Sequence, residues 1–211
     1  MKYAIALASI VVLAFAIIPS ARRSPMVLAG CKVISSIDFD VVGDGKLETV
    51  EILLTGGRRY VDEMPWCGMG DKWEGEFAVR VRSGERILSL VSVNELMGVE
   101  SLFFHAPHFE LVLQDYNHDG LIDFNLGQYS GCNGGIYYLF TILADGQITR
   151  LGHKGYHVFD HRNSTPTIQV ADDHVGFTYY SQSSALYETE WYEWHGDDFA
   201  WIETTFSTSP P

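Results

Sequence analysis

A segment of alternating oxygen-bearing side chains begins at Asp115, and its spacing defines the chemistry that it could support. Asp115, Asn117, Asp119, Gly120 and Asp123 together spell D-x-N-x-D-G-x-x-D. Carboxylate and amide oxygens stand at loop positions one, three, five and nine, and Ca²⁺ takes about six to eight such hard oxygens at about 2.3–2.6 Å. The spacing therefore predicts a calcium-binding loop, with Ca²⁺ as the cofactor.

The remaining positions of this loop fit the same ion. Leu121 at position seven would supply its backbone carbonyl, and Gly120 lets the chain bend sharply without a Cβ penalty. The loop is not an EF-hand, because position twelve is Leu126 instead of a bidentate glutamate. We expect Asp123 to close the site instead. A polar turn without metal is the alternative, since Asn, Asp and Gly also dominate ordinary turns.

A weaker form of the same pattern occurs earlier in the chain. Asp40, Asp44, Gly45 and Glu48 stand at positions one, five, six and nine, but position three is Val42, so one ligand is missing. A glycine turn that leads into the next strand explains this segment without a metal. The sequence therefore predicts one calcium site, with Asp40, Asp44 and Glu48 as a weaker second loop.

The sequence contains none of the familiar catalytic motifs. The sequence has no G-x-S-x-G, no H-E-x-x-H and no glycine-rich phosphate loop before a helix. Glu188 and Glu190 could imitate the carboxylate pair of a glycosidase, but alternate acids on a strand usually form its solvated face. His153, His157 and His161 stand four apart, and exposed loop histidines explain them better than a transition-metal site. We therefore expect a protein that is not an enzyme.

The composition limits the partners. The 211 residues carry a formal net charge of −13, and 46% of them are hydrophobic. A chain of this size can form one domain with a sizeable core. A strongly acidic surface repels nucleic acid and anionic lipid, so we expect no nucleic-acid partner. Acidity favours cation binding or a basic protein partner, and it also serves the solubility of many exported domains.

Short apolar alternations predict an all-β, antiparallel fold with a propeller-like or sandwich arrangement of roughly ten or more strands. The clearest alternations are Val50–Leu54 and Phe77–Val81, and an aromatic hairpin is expected from Tyr187–Trp194 and Phe199–Phe206. Only Asn94–Glu100 has a helical pattern. The expected organisation is a targeting segment over residues 1–30, one β domain over 31–206 and a disordered tail over 207–211.

The targeting segment predicts an extracytoplasmic protein. An uncharged run from Tyr3 to Ile18 follows Lys2 and is shorter than the about 20 residues of a spanning helix, so it is typical of an export signal. Arg22 and Arg23 after it would also suit a retained membrane anchor. The segment is therefore either a cleaved signal or an anchor, and we expect membrane contact only through it or through a lipid.

The three cysteines suggest two different modifications. Leu28–Cys31 reads LAGC, which resembles the lipobox of bacterial lipoproteins, in which the cysteine is acylated. Arg22 and Arg23 separate this box from the apolar run, unlike in the usual pattern, so plain secretion stays open. Acylation of Cys31 would leave Cys67 and Cys132 as an even pair in an oxidising compartment. We therefore hypothesise a Cys67–Cys132 disulfide, with two free thiols as the alternative.

Both acidic loops resemble the calcium loops of FG-GAP and VCBS-type repeats in β-propeller and integrin-like proteins. The stretch that reads DYNHDGLIDFNLGQYSGCNGGIYYLFTI resembles more closely the form found in small exported bacterial proteins with a single propeller-like domain. Some of those proteins are periplasmic or lipid-anchored inhibitors of lysozyme-like hydrolases. The resemblance implies that Asp115, Asn117, Asp119, Leu121 and Asp123 bind calcium. No segment of this chain matches an inhibitory loop.

These observations predict an exported calcium-binding β protein that serves as a non-catalytic binding or scaffold module at the bacterial cell envelope. Its partner would be an unidentified protein or glycan. Two alternatives stay open: an inhibitor of a lysozyme-like cell-wall hydrolase, and an unrecognised hydrolase that uses Glu188 and Glu190.

Overall fold

The computed structural model describes residues 30–64, 70–106, 110–132, 134–159 and 168–210. The expected targeting segment therefore falls outside the described residues, except for Gly30. Within the described part, no helix is long and apolar enough to cross a membrane.

The described residues fold into three antiparallel sheets, and the strands within each sheet follow one another in sequence. The first sheet has the order β1-β2-β3-β4, and the short β5 pairs with the part of β3 that β4 does not cover. Its elements are β1 (Lys32–Phe39), β2 (Glu48–Val61), β3 (Asp71–Ser83), β4 (Arg86–Ser92), α1 (Val93–Met97) and β5 (Leu102–His105).

The second and third sheets are four-stranded meanders with the orders β6-β7-β8-β9 and β10-β11-β12-β13. The strands of the second sheet are β6 (Leu113–Gln114), β7 (Ile122–Gly131), β8 (Gly134–Ile142) and β9 (Ile148–Val158). Those of the third are β10 (Ile168–Ala171), β11 (His174–Ser181), β12 (Leu186–His195) and β13 (Asp198–Ser207).

The second sheet lies between the other two, because its two faces contribute to different hydrophobic cores. Side chains alternate from face to face along a strand. Phe124 of β7 and Phe140 of β8 belong to the core shared with the first sheet. Leu139 of β8 and Tyr156 of β9 belong to the core shared with the third sheet, where Tyr156 stacks on Phe177 at 3.9 Å between ring centroids. Polar residues in the middle of this sheet, such as Asp123 and Asn125, are therefore buried between layers.

Among the described residues there is one helix, α1, and both of its ends are capped. The Ser92 side chain accepts a hydrogen bond from the backbone N–H of Glu95 at the N-terminus, and Gly98 adopts the left-handed conformation that ends the helix. The helical pattern of Asn94–Glu100 thus predicted the element but not its early end.

The structure confirms the all-β, antiparallel class. Over the described residues, the sheets form neither a closed barrel nor a closed propeller. The expected propeller-like arrangement is therefore not found. The alternating stretches at Val50–Leu54 and Phe77–Val81 pair with each other in β2 and β3. The aromatic hairpin forms as β12 and β13, and β13 extends to Ser207, one residue into the expected tail.

Candidate metal centre

The acidic loop connects β6 to β7 and enters the middle sheet at both ends. Leu113 pairs with Phe124 and Gln114 pairs with Asp123, so the two-residue strand β6 returns the chain beside the start of β7. The loop itself runs from Asp115 to Leu121. Its last predicted ligand, Asp123, is already a strand residue, so the sheet holds this carboxylate in place.

Hydrogen bonds from the backbone hold the acidic side chains toward the inside of the loop. Asp115 Oδ2 accepts from the N–H of Gly120 at 2.9 Å, and Asp119 Oδ1 accepts from the N–H of Leu121 at 2.8 Å. Asn117 Nδ2 donates to Asp119 Oδ2 at 2.9 Å. Gly120 has φ of 82°, a left-handed conformation that glycine adopts without strain. The sequence thus forms a turn in which the oxygens at positions one, three and five are ordered.

Tyr116 fixes the loop to the sheet. Its ring is 1% exposed and belongs to the core between the second and third sheets. Its backbone N–H donates to Asp123 Oδ2 at 2.8 Å, and its hydroxyl accepts from Asn125 Nδ2 at 2.7 Å. Burial raises the pKa of the Tyr116 hydroxyl, so it stays neutral. The spacing of the acidic residues does not identify Tyr116. The signal that could have identified it is an aromatic side chain at the second position of a loop whose other residues are mostly polar.

Asp123 is the most unusual residue of the loop. Its side chain is 0% exposed, and Oδ1 has no hydrogen-bond partner. Asp115 Oδ1 is also buried without a partner. Unpaired buried carboxylate oxygens are rare, because removal from water costs free energy that nothing then offsets. These two oxygens are therefore suited to accept a positive charge.

The negative charges of the loop have no positively charged partner among the described residues. Within the described residues, Asp115, Asp119 and Asp123 form no ion pair with Lys, Arg or His. The pKa of Asp123 is raised to about 7, chiefly by burial and to a smaller extent by the negative charges of Asp119 and Asp115, while the Tyr116 N–H and the Thr141 hydroxyl act to lower it. A cation would favour the ionised form.

The weaker loop between β1 and β2 has the same hydrogen bonds but carries its own cation. Asp40 Oδ2 accepts from the N–H of Gly45 at 2.8 Å. Lys46 Nζ lies 2.7 Å from Asp44 Oδ2, and this hydrogen bond lowers the pKa of Asp44 and raises that of Lys46. Glu48 is 2% exposed, with Oε2 unpaired. Val42 at position three packs on the first core and offers no ligand.

The residues of the β6–β7 loop fit a metal ion only in part. In the described residues, no three Asp, Glu, His or Cys side chains converge as metal ligands would. In the β6–β7 loop, Asp119 Oδ2 accepts a hydrogen bond from the Asn117 amide. The unpaired oxygens of Asp115 and Asp123 do fit a cation. Binding would require Asp119 to exchange this contact for the metal.

Two of the three cysteines, Cys31 and Cys132, lie in the described residues. Cys132 is disulfide-bonded and Cys31 is free, while Cys67 lies in a stretch that is not described. The Cys67–Cys132 pairing and the acylation of Cys31 both stay predictions.

Glu188 and Glu190 lie on β12 of the third sheet, beside aromatic side chains. Tyr179 donates its hydroxyl hydrogen bond to Glu188 at 2.9 Å and also lies 3.4 Å from Glu190. Tyr192 is buried in the second core, whereas Trp201 and Phe206 on β13 are 59% and 61% exposed. Core packing therefore explains part of the aromatic set, and an exposed aromatic face explains the rest.

No family model, curated protein or solved structure matches this chain. The resemblance to FG-GAP and VCBS-type calcium loops therefore rests on the two acidic loops alone.

Proposed function

We propose that this protein is an exported, calcium-stabilised β protein that acts as a non-catalytic binding or scaffold module at the bacterial cell envelope. Asp115, Asn117, Asp119 and Asp123 would hold the ion through side chains, and Leu121 would do so through its carbonyl. Calcium would neutralise three carboxylates and rigidify the connection between β6 and β7. Its binding free energy would then add to folding stability.

The observation that carries the proposal is the buried Asp123 carboxylate with an unpaired oxygen beside two further acids. A simple polar turn explains the hydrogen bonds of the loop, but it does not explain why the Asp123 carboxyl is fully buried with an unpaired oxygen. Export and envelope location rest on the apolar N-terminal run and on the LAGC sequence at Leu28–Cys31.

Isothermal titration calorimetry of the full chain with CaCl₂ tests the metal proposal. We expect one bound calcium for the wild type and none for Asp119→Ala. Asp44→Ala is the matched control, because it removes the acid at the same position of the weaker loop and should leave calcium binding unchanged. Binding that survives Asp119→Ala, or is lost in Asp44→Ala, would place the ion elsewhere. Fractionation with palmitate labelling, lost on Cys31→Ser, tests the envelope location separately.

Inhibition of a lysozyme-like hydrolase is a second candidate, favoured by the exposed rings on the acidic third sheet. Trp201 and Phe206 lie opposite Tyr192 and Glu188 on the same sheet. Aromatic side chains supply much of the energy of protein interfaces, and acids beside them suit a basic partner. An assay of lysozyme activity with and without the full chain tests it. Inhibition that is lost in Trp201→Ala would support this role, and unchanged lysozyme activity would remove it.

A further inference from the structure

A third unpaired oxygen lies next to the acidic loop, on a strand that the sequence analysis did not connect with it. Thr141 of β8 is 6% exposed, and its Oγ1 is buried without a hydrogen-bond partner. Thr141 stands directly opposite Asp123 in the β7–β8 pair. Opposite residues of an antiparallel pair share a face, with Cβ atoms about 4.5–5.5 Å apart. The Thr141 hydroxyl and the Asp123 carboxylate are therefore neighbours.

The three unpaired oxygens share one chemical property. Asp115 Oδ1 and Asp123 Oδ1 belong to carboxylates that only accept when ionised, and the Thr141 hydroxyl offers two lone pairs. Thr141 lies close enough to Asp123 to lower the pKa of that carboxyl, yet the pair does not meet hydrogen-bond geometry. A group of buried oxygens with free lone pairs suits a cation and would repel an anion.

The number of ligands also leaves room for an oxygen from outside the loop. The loop supplies five: four side chains and the Leu121 carbonyl. Calcium takes about six at least. The residue that would supply the sixth in an EF-hand position, Leu126, is 0% exposed in the core shared with the first sheet, on the opposite face from Asp123. Leu126 therefore cannot supply a further oxygen, whereas a residue on a neighbouring strand can.

We propose that Thr141 completes the calcium site from β8, and that its hydroxyl oxygen binds the ion directly together with the loop ligands. This inference rests on the proposed calcium site. It explains why the loop can lack a glutamate at position twelve: the neighbouring strand replaces that ligand with a neutral oxygen. It also links calcium to the β7–β8 pair, so the ion would join the loop to the centre of the middle sheet.

Terbium luminescence of the full chain tests this proposal. Lifetimes in H₂O and D₂O count the water molecules on the bound Tb³⁺, which takes the same oxygen ligands as calcium. We expect Thr141→Val to gain about one coordinated water, because the ion keeps its coordination number when a protein oxygen is lost. Calorimetry with CaCl₂ should show an affinity loss of about tenfold or more, and Thr141→Ser should restore both values.

Two controls separate a ligand from a structural residue. Thr149→Val makes the same change at the exposed cross-strand neighbour of Thr141 on β9 and should alter neither readout. Melting in EGTA should be unchanged or higher for Thr141→Val, since an unpaired buried hydroxyl is removed. An unchanged water count in Thr141→Val, with wild-type metal binding intact, would overturn this inference alone. A wild type that binds neither Ca²⁺ nor Tb³⁺ would overturn the proposed calcium site and this inference together.

Discussion

The two acidic loops have nearly the same backbone and hydrogen bonds, but they balance their charge in different ways. In each, the first aspartate accepts from the N–H of a glycine five residues later, and Gly45 and Gly120 both have φ of 82°. The ninth residue, Glu48 or Asp123, is buried with one unpaired oxygen in both loops. The fold of the loop therefore does not decide whether it needs a metal.

The difference lies at positions three and seven. The β1–β2 loop has Val42 and Lys46 there, and Lys46 forms an ion pair with Asp44. The β6–β7 loop has Asn117 and Leu121, which provide a further oxygen but no cation. A lysine at position seven thus offsets charge that, in the other loop, the proposed calcium ion would offset. The comparison teaches that the seventh residue separates a self-neutralised turn from a candidate calcium site.

The largest expected effect comes from neutralising the buried acid of the β6–β7 loop. Asp123→Asn keeps the shape of the side chain and removes its charge. It should abolish the stabilisation by calcium, which amounts to about 2.7 kcal/mol when calcium is 100-fold above its Kd. Thermal melts in calcium and in EGTA measure this difference. Glu48→Gln in the other loop is the matched change and should leave the calcium effect intact; equal losses would remove the distinction between the loops.

The pH dependence of stability should have opposite signs in the two loops. The pKa of Asp123 is raised from 3.8 to about 7, so without calcium the folded state keeps a proton that the unfolded chain has lost. Stability in EGTA should therefore fall as pH rises from about 4 to about 7. Urea unfolding at several pH values measures the slope. Asp123→Asn should flatten it, and a slope that persists in this variant would assign it to other groups.

Asp44 makes the opposite contribution. Its pKa is lowered from 3.8 by the hydrogen bond with Lys46, so its stabilisation is present above pH 3.8 and is lost as pH falls below that value. Because the ion pair is exposed to solvent, this change should be small compared with the effect of Asp123. Asp44→Asn compared with the wild type below pH 4 checks its sign.

Giving the β6–β7 loop its own lysine should make calcium less necessary. Leu121→Lys places an ammonium at the position that Lys46 holds in the other loop. We expect calcium affinity to fall by about tenfold or more through charge repulsion, and the melting temperature in EGTA to rise. Calorimetry and melts measure both. Leu121→Met, which adds no charge, is the control. Unchanged affinity in Leu121→Lys would contradict the role assigned to position seven.

The reverse conversion should have the smallest effect. Val42→Asn with Lys46→Leu gives the β1–β2 loop the side chains of its counterpart. We expect a second, weaker calcium site, because Asp40, Asp44 and Glu48 would then lack an internal cation. The loss of Val42 from the first core should lower stability by about 1 kcal/mol. Calorimetric stoichiometry should rise from one to two, and a value that stays at one would show that the backbone of this loop cannot hold the ion.

Much of the fold could be predicted from the sequence, because it depends on local alternation. The period of two at Val50–Leu54 and at Phe77–Val81 predicted β2 and β3. The assignment of the middle sheet to two cores could not be predicted, since it depends on which sheets pack together. The pattern Phe124, Leu126 shows a buried face but not the layer that covers it.

The candidate site also has a part that the sequence predicts and a part that it does not. The loop positions from Asp115 to Asp123 were readable, because neighbours in sequence form the turn. Tyr116 and Thr141 were not identified, since their roles depend on burial and on strand register. Thr141 lies on the next strand, and only the pairing of β7 with β8 places it opposite Asp123. Contacts between strands are therefore the part of this site that sequence spacing cannot supply.

The most direct test of the calcium site is a thermal melt of the full chain in calcium and in EGTA, for the wild type, Asp119→Ala and Asp44→Ala. The account predicts that calcium raises the melting temperature of the wild type and of Asp44→Ala, and leaves that of Asp119→Ala unchanged. A wild-type melt that does not respond to calcium would contradict it, and the β6–β7 loop would then be a polar turn like its counterpart between β1 and β2.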